Sequence, residues 1–328
     1  MRVYRDEDAD LTLVQARRVA VIGYGNQGRA QALNLRDSGV SVVIGLPEAS
    51  ASRARAVDDG FDVMTAAEGA AQADLAVMLA ADETQARIYR DEIAPNLREG
   101  AALTFAHGLN IHFNLIAARA DLDVVLVAPK GPGTALRADY LRGSGLIALF
   151  AVAQDASGGA EALALSYASA IGSGRVGILK TSFAEECEAD LFNEQAVLWG
   201  AIPELIHAGF ETLVEAGFSP EIAYFECLTE VKLIADLIYE RGIAGMREAI
   251  SNTAEFGALK GGRRIINADA RTEMRRILRE VRSGHFTSDL IADAEAGYPL
   301  LTRSRAEAAA HPIEAVRARL QALEDKAP

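Results

Sequence analysis

Cysteine is nearly absent from this chain: only Cys187 and Cys227 occur in 328 residues, with no short metal-type spacing between them. A disulfide scaffold is therefore not expected, and a reducing compartment is. Basic charge is short as well, with 33 Lys and Arg against 46 Asp and Glu and a formal net charge of −13. A nucleic-acid groove or an anionic membrane surface wants a basic face, so neither is expected as the main partner. No uninterrupted apolar run reaches spanning length, and the first residues, MRVYRDEDADL, are charged where a secretory signal would be apolar. The expected setting is the cytoplasm. Aromatics make up only 6% of a chain that is 50% hydrophobic, which leaves a core of Ala, Val, Leu and Ile.

Against these absences stands a regular alternation. The runs RRVAVIG, VSVVIGL, ADLAVMLA, AALTFAHG, DVVLVAP and LIALFAVAQ are bounded by Gly, Pro or Asp and separated by Ala-rich helical stretches. That is the pattern of βα units and of a doubly wound parallel sheet buried on both faces. After about Thr181 the periodicity turns helical, with Gly217 and Pro220 marking a helix stop and the next start. The expected domains are 1–181, an α/β dinucleotide-binding domain, and 182–328, an all-helical domain.

Gly23, Gly25 and Gly28 in VAVIGYGNQGRAQALNL fit G-x-G-x-x-G between the first run and a helix. The first glycine permits a tight turn, the second a close approach of backbone to pyrophosphate, and the third close packing of helix on strand. The helix N-terminus adds N–H groups and partial positive charge. The expected first domain is therefore Rossmann-type, and the expected activity that of a nicotinamide-dependent oxidoreductase. Its second run ends at VVIGLPEASASR, where Glu48 favours a free ribose hydroxyl while Ser50, Ser52 and Arg53 favour a 2′-phosphate.

In the second half Asp190 and Glu194 are four apart, on a line that continues to Leu198. Glu226 and Glu230 are also four apart, in line with Leu233, Ile234 and Leu237. Carboxylates on apolar stripes need compensation, and oxygen ligands from facing helices suit Mg²⁺. Glu185, Glu186 and Glu188 read as ordinary surface acids. His107 and Lys130 each follow an apolar strand, at the carboxyl ends where open α/β sheets bind ligands.

Together these segments resemble ketol-acid reductoisomerase in its short form, through GYGNQG, LAADETQA, APNLREGAALTFAHGLNIHF, VAPKGPG, DLFNEQAVL, AGFETLVEAG, AYFECLTEVKLIADLIYERGIAGM and SNTAEFG. The resemblance implies a knotted helical domain and a homodimer or larger assembly. It implies isomeroreduction of a small 2-hydroxy-2-alkyl-3-oxo acid such as 2-acetolactate, in branched-chain amino-acid synthesis, with NADPH or NADH and two Mg²⁺. Asp190, Glu194, Glu226 and Glu230 would be metal ligands, with Glu230 also relaying a proton. Ser251, Leu198 and Trp199 would meet the substrate, His107 the nicotinamide, and Lys130 the polar network around substrate and metals. Gly23, Tyr24, Gly25, Asn26, Gln27, Gly28, Ser50, Ser52, Asp82, Glu83, Thr84, Gln85 and Gly133 would surround the cofactor.

Departures from the family pattern are Arg29 for a usual His, Pro47 for a basic residue, Asn193 for Gly, Trp199 for a smaller residue, Thr229 for His, and Pro203 within a helix that normally continues. Two rival readings stay open, the first motivated by Trp199, Pro203 and Thr229 and the second opposed by the intact acid quartet, His107 and Lys130. One is a paralogue reducing a different oxo acid, and the other is a non-catalytic dinucleotide sensor.

Overall fold

Each of the six apolar runs forms a strand in a computed structural model that describes residues 1–324: β2 (Arg18–Ile22), β3 (Ser41–Gly45), β5 (Leu75–Met78), β6 (Ala102–Phe105), β7 (Asp123–Pro129) and β8 (Ala148–Gln154). Three strands too short to show a pattern complete one sheet: β1 (Val3–Tyr4), β4 (Asp62–Met64) and β9 (Ile178–Lys180). The order is β1-β9-β8-β7-β6-β5-β2-β3-β4. Alternation at period two sends Val19 and Val21 of β2 into one buried cluster and Ala20 and Ile22 into the other. β7 divides the same way, Val125 and Val127 against Val124, Leu126 and Ala128. Both faces of the sheet are thus core.

The sheet is mixed where the sequence suggests a wholly parallel one. β8 runs antiparallel to β7, and the edge strand β1 antiparallel to β9. After β7 the chain lays the helix Gly133–Leu141 beside the helix Asn26–Asp37, joined by Thr134 N–H to Asn26 Oδ1 (2.9 Å) and Arg137 Nη1 to Asn34 Oδ1 (2.9 Å). It makes no parallel crossover there, so β8 returns antiparallel. The strand order reverses at β2, which lies between β3 and β5. The carboxyl ends of β2 and β5 are therefore where an open α/β sheet binds its ligand.

The chain divides into two units, Met1–Ala189 and a second beginning at Asp190, and the division falls inside the helix Phe183–Asn193. Among the described residues the second unit is helical throughout. Its helix Ala201–Glu215 ends in a Schellman arrangement. Gly217 sits at φ +91°, Phe218 N–H bonds Leu213 O (3.1 Å), Gly217 N–H bonds Val214 O (3.0 Å), and Pro220 opens the next helix. Pro203 falls in the first turn of Ala201–Glu215, where a missing N–H leaves no bond unmade. A small core of Phe210, Ala223, Ile313 and Val316 joins three of the helices. By contrast, Glu230–Ala249, kinked at Gly242, and Asn252–Ile265 bury no residue. No helix among the described residues is long and apolar enough to cross a membrane.

Candidate active site

The Gly-rich turn leaves β2 at the reversal point. Gly23 adopts φ +107°, and a Cβ there would lie 2.5 Å from Leu79 O and Ala80 N at the end of β5. A Cβ on Gly28 would lie 2.3 Å from Gly23 O. These two glycines are required by the protein's own packing. Gly25 is different, because nothing lies within 4 Å of where its Cβ would be. It precedes the helix Asn26–Asp37, which has neither a capping side chain nor an acid in its first turn. Open space in front of uncapped helix N–H groups is what a pyrophosphate requires.

Tyr24 turns its ring into the core against Phe61, and its hydroxyl donates to Asp59 (2.8 Å), so its backbone is what faces the turn. Arg29 grips Asp59 with two bonds of 2.6 and 2.8 Å, and the guanidinium holds that carboxyl down to about 2. Arg53 does not reach outward: its guanidinium donates to the carbonyls of Leu46 (2.9 Å), Val63 (3.2 Å) and Met64 (3.5 Å). Arg55, unremarked in the sequence, contacts Ser52 Oγ (3.4 Å) and the Tyr24 carbonyl (3.3 Å) at the mouth of the turn. Ser50 accepts from the Ser52 N–H (3.3 Å), while Pro47 and Glu48 are exposed.

Asp82, Glu83, Thr84 and Gln85 begin the short helix after β5. Gln85 is buried and donates to Ala80 O (2.9 Å) and Asp82 Oδ1 (3.0 Å), and Asn110 bonds Asp82 O (2.9 Å) and Gln85 Oε1 (3.3 Å). Gly133 allows its loop to touch the Gly-rich turn, since a Cβ there would lie 2.1 Å from Asn26 O.

The adjacent ends of β6 and β7 carry His107 and Lys130. Both converge on Glu186, whose side chain is 1% exposed. Glu186 accepts from Lys130 Nζ (2.8 Å) and from the Gly108 N–H (2.9 Å), and His107 Nδ1 lies 3.2 Å away. Burial opposes the charge on Glu186, but the His107 and Lys130 cations outweigh it and bring the carboxyl down to about 2. Burial likewise works against a charged His107. Hydrogen bonds to Cys187 and Glu186, with the Glu186 charge, overcome it and push the imidazole well above its ordinary value. Gly108 is needed for this approach, as a Cβ there would lie 2.5 Å from Phe183 O.

Glu186 is thus no surface acid. The apolar residues Phe183, Cys187 and Leu191 bury one stripe of the helix, and Glu186 and Asp190 fall at i+3 and i+7 on it. That stripe was the signal available in the sequence. Asp190 follows Glu186 by one turn of the same helix, and His107, Glu186 and Asp190 each offer a ligand atom within 4.8 Å of the others.

The remaining acids sit at helical irregularities. Glu194 starts a π-helical turn, Glu194–Leu198, and Glu226 lies within a second one, Phe225–Thr229, which Glu230 directly follows. Such turns insert a residue, re-aim side chains and occur frequently at functional sites. Glu226 and Glu230 are exposed. Leu198 and Trp199 are exposed, the indole at 66%. Ser251 is exposed too, and its Oγ caps the helix Asn252–Ile265 through the Ala254 N–H (3.2 Å).

Two family models cover nearly all of the chain. Residues 13–177 match the acetohydroxy acid isomeroreductase NADPH-binding domain, and residues 183–325 match the ketol-acid reductoisomerase C-terminal domain. The chain belongs to the ketol-acid reductoisomerase family. As a ketol-acid reductoisomerase it is an NAD(P)H-dependent oxidoreductase. It is similar to an NADH-preferring ketol-acid reductoisomerase from an uncultured archean, at 43% identity and a TM-score of 0.96 over 98% of this chain and 99% of that one. A semialdehyde dehydrogenase NAD-binding protein from Cupriavidus necator (18% identity, TM-score 0.62, 81% and 99% coverage) shares the fold. So does a pyrroline-5-carboxylate reductase from Coxiella burnetii (17%, 0.55, 81% and 98%).

Proposed function

We propose that this ketol-acid reductoisomerase converts 2-acetolactate and related 2-hydroxy-2-alkyl-3-oxo acids to 2,3-dihydroxy acids, with Mg²⁺, in cytoplasmic branched-chain amino-acid synthesis. The observation that carries the reading is the convergence of His107 and Lys130 on buried Glu186, one turn from Asp190. Glu186 already faces Lys130, the Gly108 N–H and His107, so it holds Lys130 in place while the carboxylate chemistry toward a cation falls to Asp190 and the acids beyond it. Asp190, Glu194, Glu226 and Glu230 are oxygen donors of the kind Mg²⁺ takes. Bound there, two Mg²⁺ would stabilise the substrate alkoxide and polarise the carbonyl that receives the migrating alkyl group. Lys130 presents positive charge to the substrate's oxygens, and Glu230 carries the proton exchanged at the substrate.

The nicotinamide cofactor supplies the hydride. Its pyrophosphate rests on the backbone of Gly23, Tyr24, Gly25, Asn26, Gln27 and Gly28, with Asp82 to Gln85 and Gly133 flanking it. Ser50, Ser52 and Arg55 form the polar edge that meets a 2′-phosphate, while exposed Glu48 admits the free ribose. Use of both NADPH and NADH is the expected outcome, in keeping with the NADH preference of the archaeal relative.

The working form is an assembly. Along Glu230–Ala249 and Asn252–Ile265 the side chains of Leu233, Tyr239 (92%), Ile243, Phe256 (61%), Leu259 and Ile265 are exposed. Helices draw their stability from packing an apolar face, and exposed apolar side chains grouped on such faces mark interaction surfaces. A second copy covers these faces, and the helical domain of the assembly brings Glu226, Glu230 and Ser251 to the site.

The test is nicotinamide oxidation with 2-acetolactate and Mg²⁺, run with NADPH and NADH and in parallel with 3-hydroxy-3-methyl-2-oxobutanoate. Turnover of both acids is expected. Turnover of the migrated acid alone would leave only a reductase, and turnover of neither would overturn the substrate assignment.

A further inference from the structure

A line of hydrogen bonds runs from the buried core of the first unit to the loop that carries Lys130. Tyr167 Oη lies 2.7 Å from Gln31 Oε1, Gln31 Nε2 lies 3.1 Å from Gln27 Oε1, and Gln27 Nε2 lies 2.8 Å from the Gly131 carbonyl. Tyr167 and Gln31 are fully buried. The direction of the line is set at its far end. A carbonyl can only accept, so Gln27 must turn its amide nitrogen to Gly131 and its oxygen back to Gln31. Gln31 must then turn its own oxygen to Tyr167, whose hydroxyl must donate. Burial pushes the Tyr167 phenol up, which keeps that proton in place.

Buried amides need partners wherever they lie, and partners alone would not require this geometry. Here the three links are in series, and they end on the Gly131 carbonyl, in the peptide between Gly131 and Pro132, one residue beyond Lys130. Gln27 stands in the Gly-rich turn, and its neighbour Asn26 accepts the Thr134 N–H from the first turn of the helix that follows the loop. We propose that Gln27, Gln31 and Tyr167 are positioning residues, a one-way hydrogen-bond relay that holds the Lys130–Gly133 loop in register with the cofactor helix. The inference rests on the reaction proposed above for its kinetic consequence and on the geometry alone for its mechanical one.

The consequence is testable with Tyr167→Phe, with Gln31→Met as a second variant of similar volume, and with the two combined. Three quantities are measured on the full chain: kcat with 2-acetolactate and Mg²⁺, nicotinamide Kd by fluorescence titration, and amide hydrogen exchange of peptides covering residues 130–141. Misplacing a reacting group by about 1 Å lowers rates by up to about 100-fold. Each single variant is expected to lower kcat about 10-fold and to speed exchange at Ala135 and Leu136, in the first turn after Pro132, about 10-fold. Nicotinamide Kd should stay within about 2-fold. Links in series break once, so the double variant should be no worse than Gln31→Met. Unchanged exchange, unchanged kcat, or losses that multiply in the double variant would each overturn the relay. A nicotinamide Kd that weakens as much as kcat falls would overturn the positioning of Lys130. If the wild-type protein does not turn over 2-acetolactate, the reaction assignment fails by itself and the exchange measurement still decides the relay.

Discussion

Replacing Glu186 by Gln changes no volume and removes one charge, which makes it a sharp probe of the centre. The carboxylate faces Lys130 Nζ through Oε1, and Gly108 N–H and His107 Nδ1 through Oε2. An amide has one acceptor oxygen, so whichever way the new side chain turns, its NH₂ meets a donor. The less costly orientation keeps the oxygen on Gly108 and His107, which are buried or nearly so, and sets the NH₂ against Lys130. The Lys130 side chain is 32% exposed and can swing into water. The variant then loses one charge-assisted bond, about 1.5–3 kcal/mol, together with part of the charge that balances His107. Because Lys130 escapes, the total stays below the roughly 3–5 kcal/mol of a fully buried broken pair. About 2–3 kcal/mol is expected, which in a unit of this size lowers Tm by about 4–12 °C. Calorimetry on the full chain at pH 7 measures it, with Lys130→Met as the complementary variant. Turnover should fall at least 10-fold, because Lys130 loses its contact with Glu186. A first-unit Tm within about 1 °C of wild type would refute the centre as drawn.

The other predictions concern separate parts of the molecule. Asp59 falls from the usual 3.8 to about 2 through Arg29, worth about 1–2 kcal/mol once the exposure of Arg29 is discounted. A depressed carboxyl stabilises above its unfolded value and loses that effect as pH drops from about 4 towards 2. Chemical denaturation should show Asp59→Asn weaker than wild type at pH 7 and equal to it near pH 2; a constant gap would refute the pairing. Arg55→Gln should raise KM for NADPH about 10-fold and leave NADH unchanged, a ratio read from initial rates, whereas equal effects would confine Arg55 to its bond with Tyr24 O. Glu230→Gln should abolish turnover and spare nicotinamide binding, as should chelation of Mg²⁺; activity near wild type would remove Glu230 from the site. Phe256→Glu, on a face that Leu259 continues, should halve the mass seen by sedimentation, and an unchanged mass would move the interface elsewhere.

What the sequence revealed, and what it hid, follows from which forces act locally. The six long strands announce themselves because burial on both faces demands unbroken apolar runs, while β1, β4 and β9, at two or three residues each, are too short to carry a period. The antiparallel return of β8 was hidden, since it depends on where the helix Gly133–Leu141 packs and not on any residue within the strand. Gly23, Gly25 and Gly28 were legible through their spacing between strand and helix, and the fold adds that Gly23 and Gly28 are fixed by packing while Gly25 has room beside it. Arg53 and Arg55 could not be told apart by composition; only the fold decides that one guanidinium turns inward to three carbonyls while the other stays at the mouth of the turn.

Glu186 shows the limit most clearly. Beside Glu185 and Glu188 it looks like one solvated acid among several. Burial of a carboxylate is affordable only when cations from distant segments meet it, and here they come from 56 and 79 residues away in the chain, at Lys130 and His107. Local sequence cannot report a partner supplied from so far. It can report the stripe of Phe183, Cys187 and Leu191 on which an acid is out of place. An acid on an apolar stripe, next to two unexplained polar residues at strand ends, is therefore the pattern to search for when a site of this kind must be found before its structure is known.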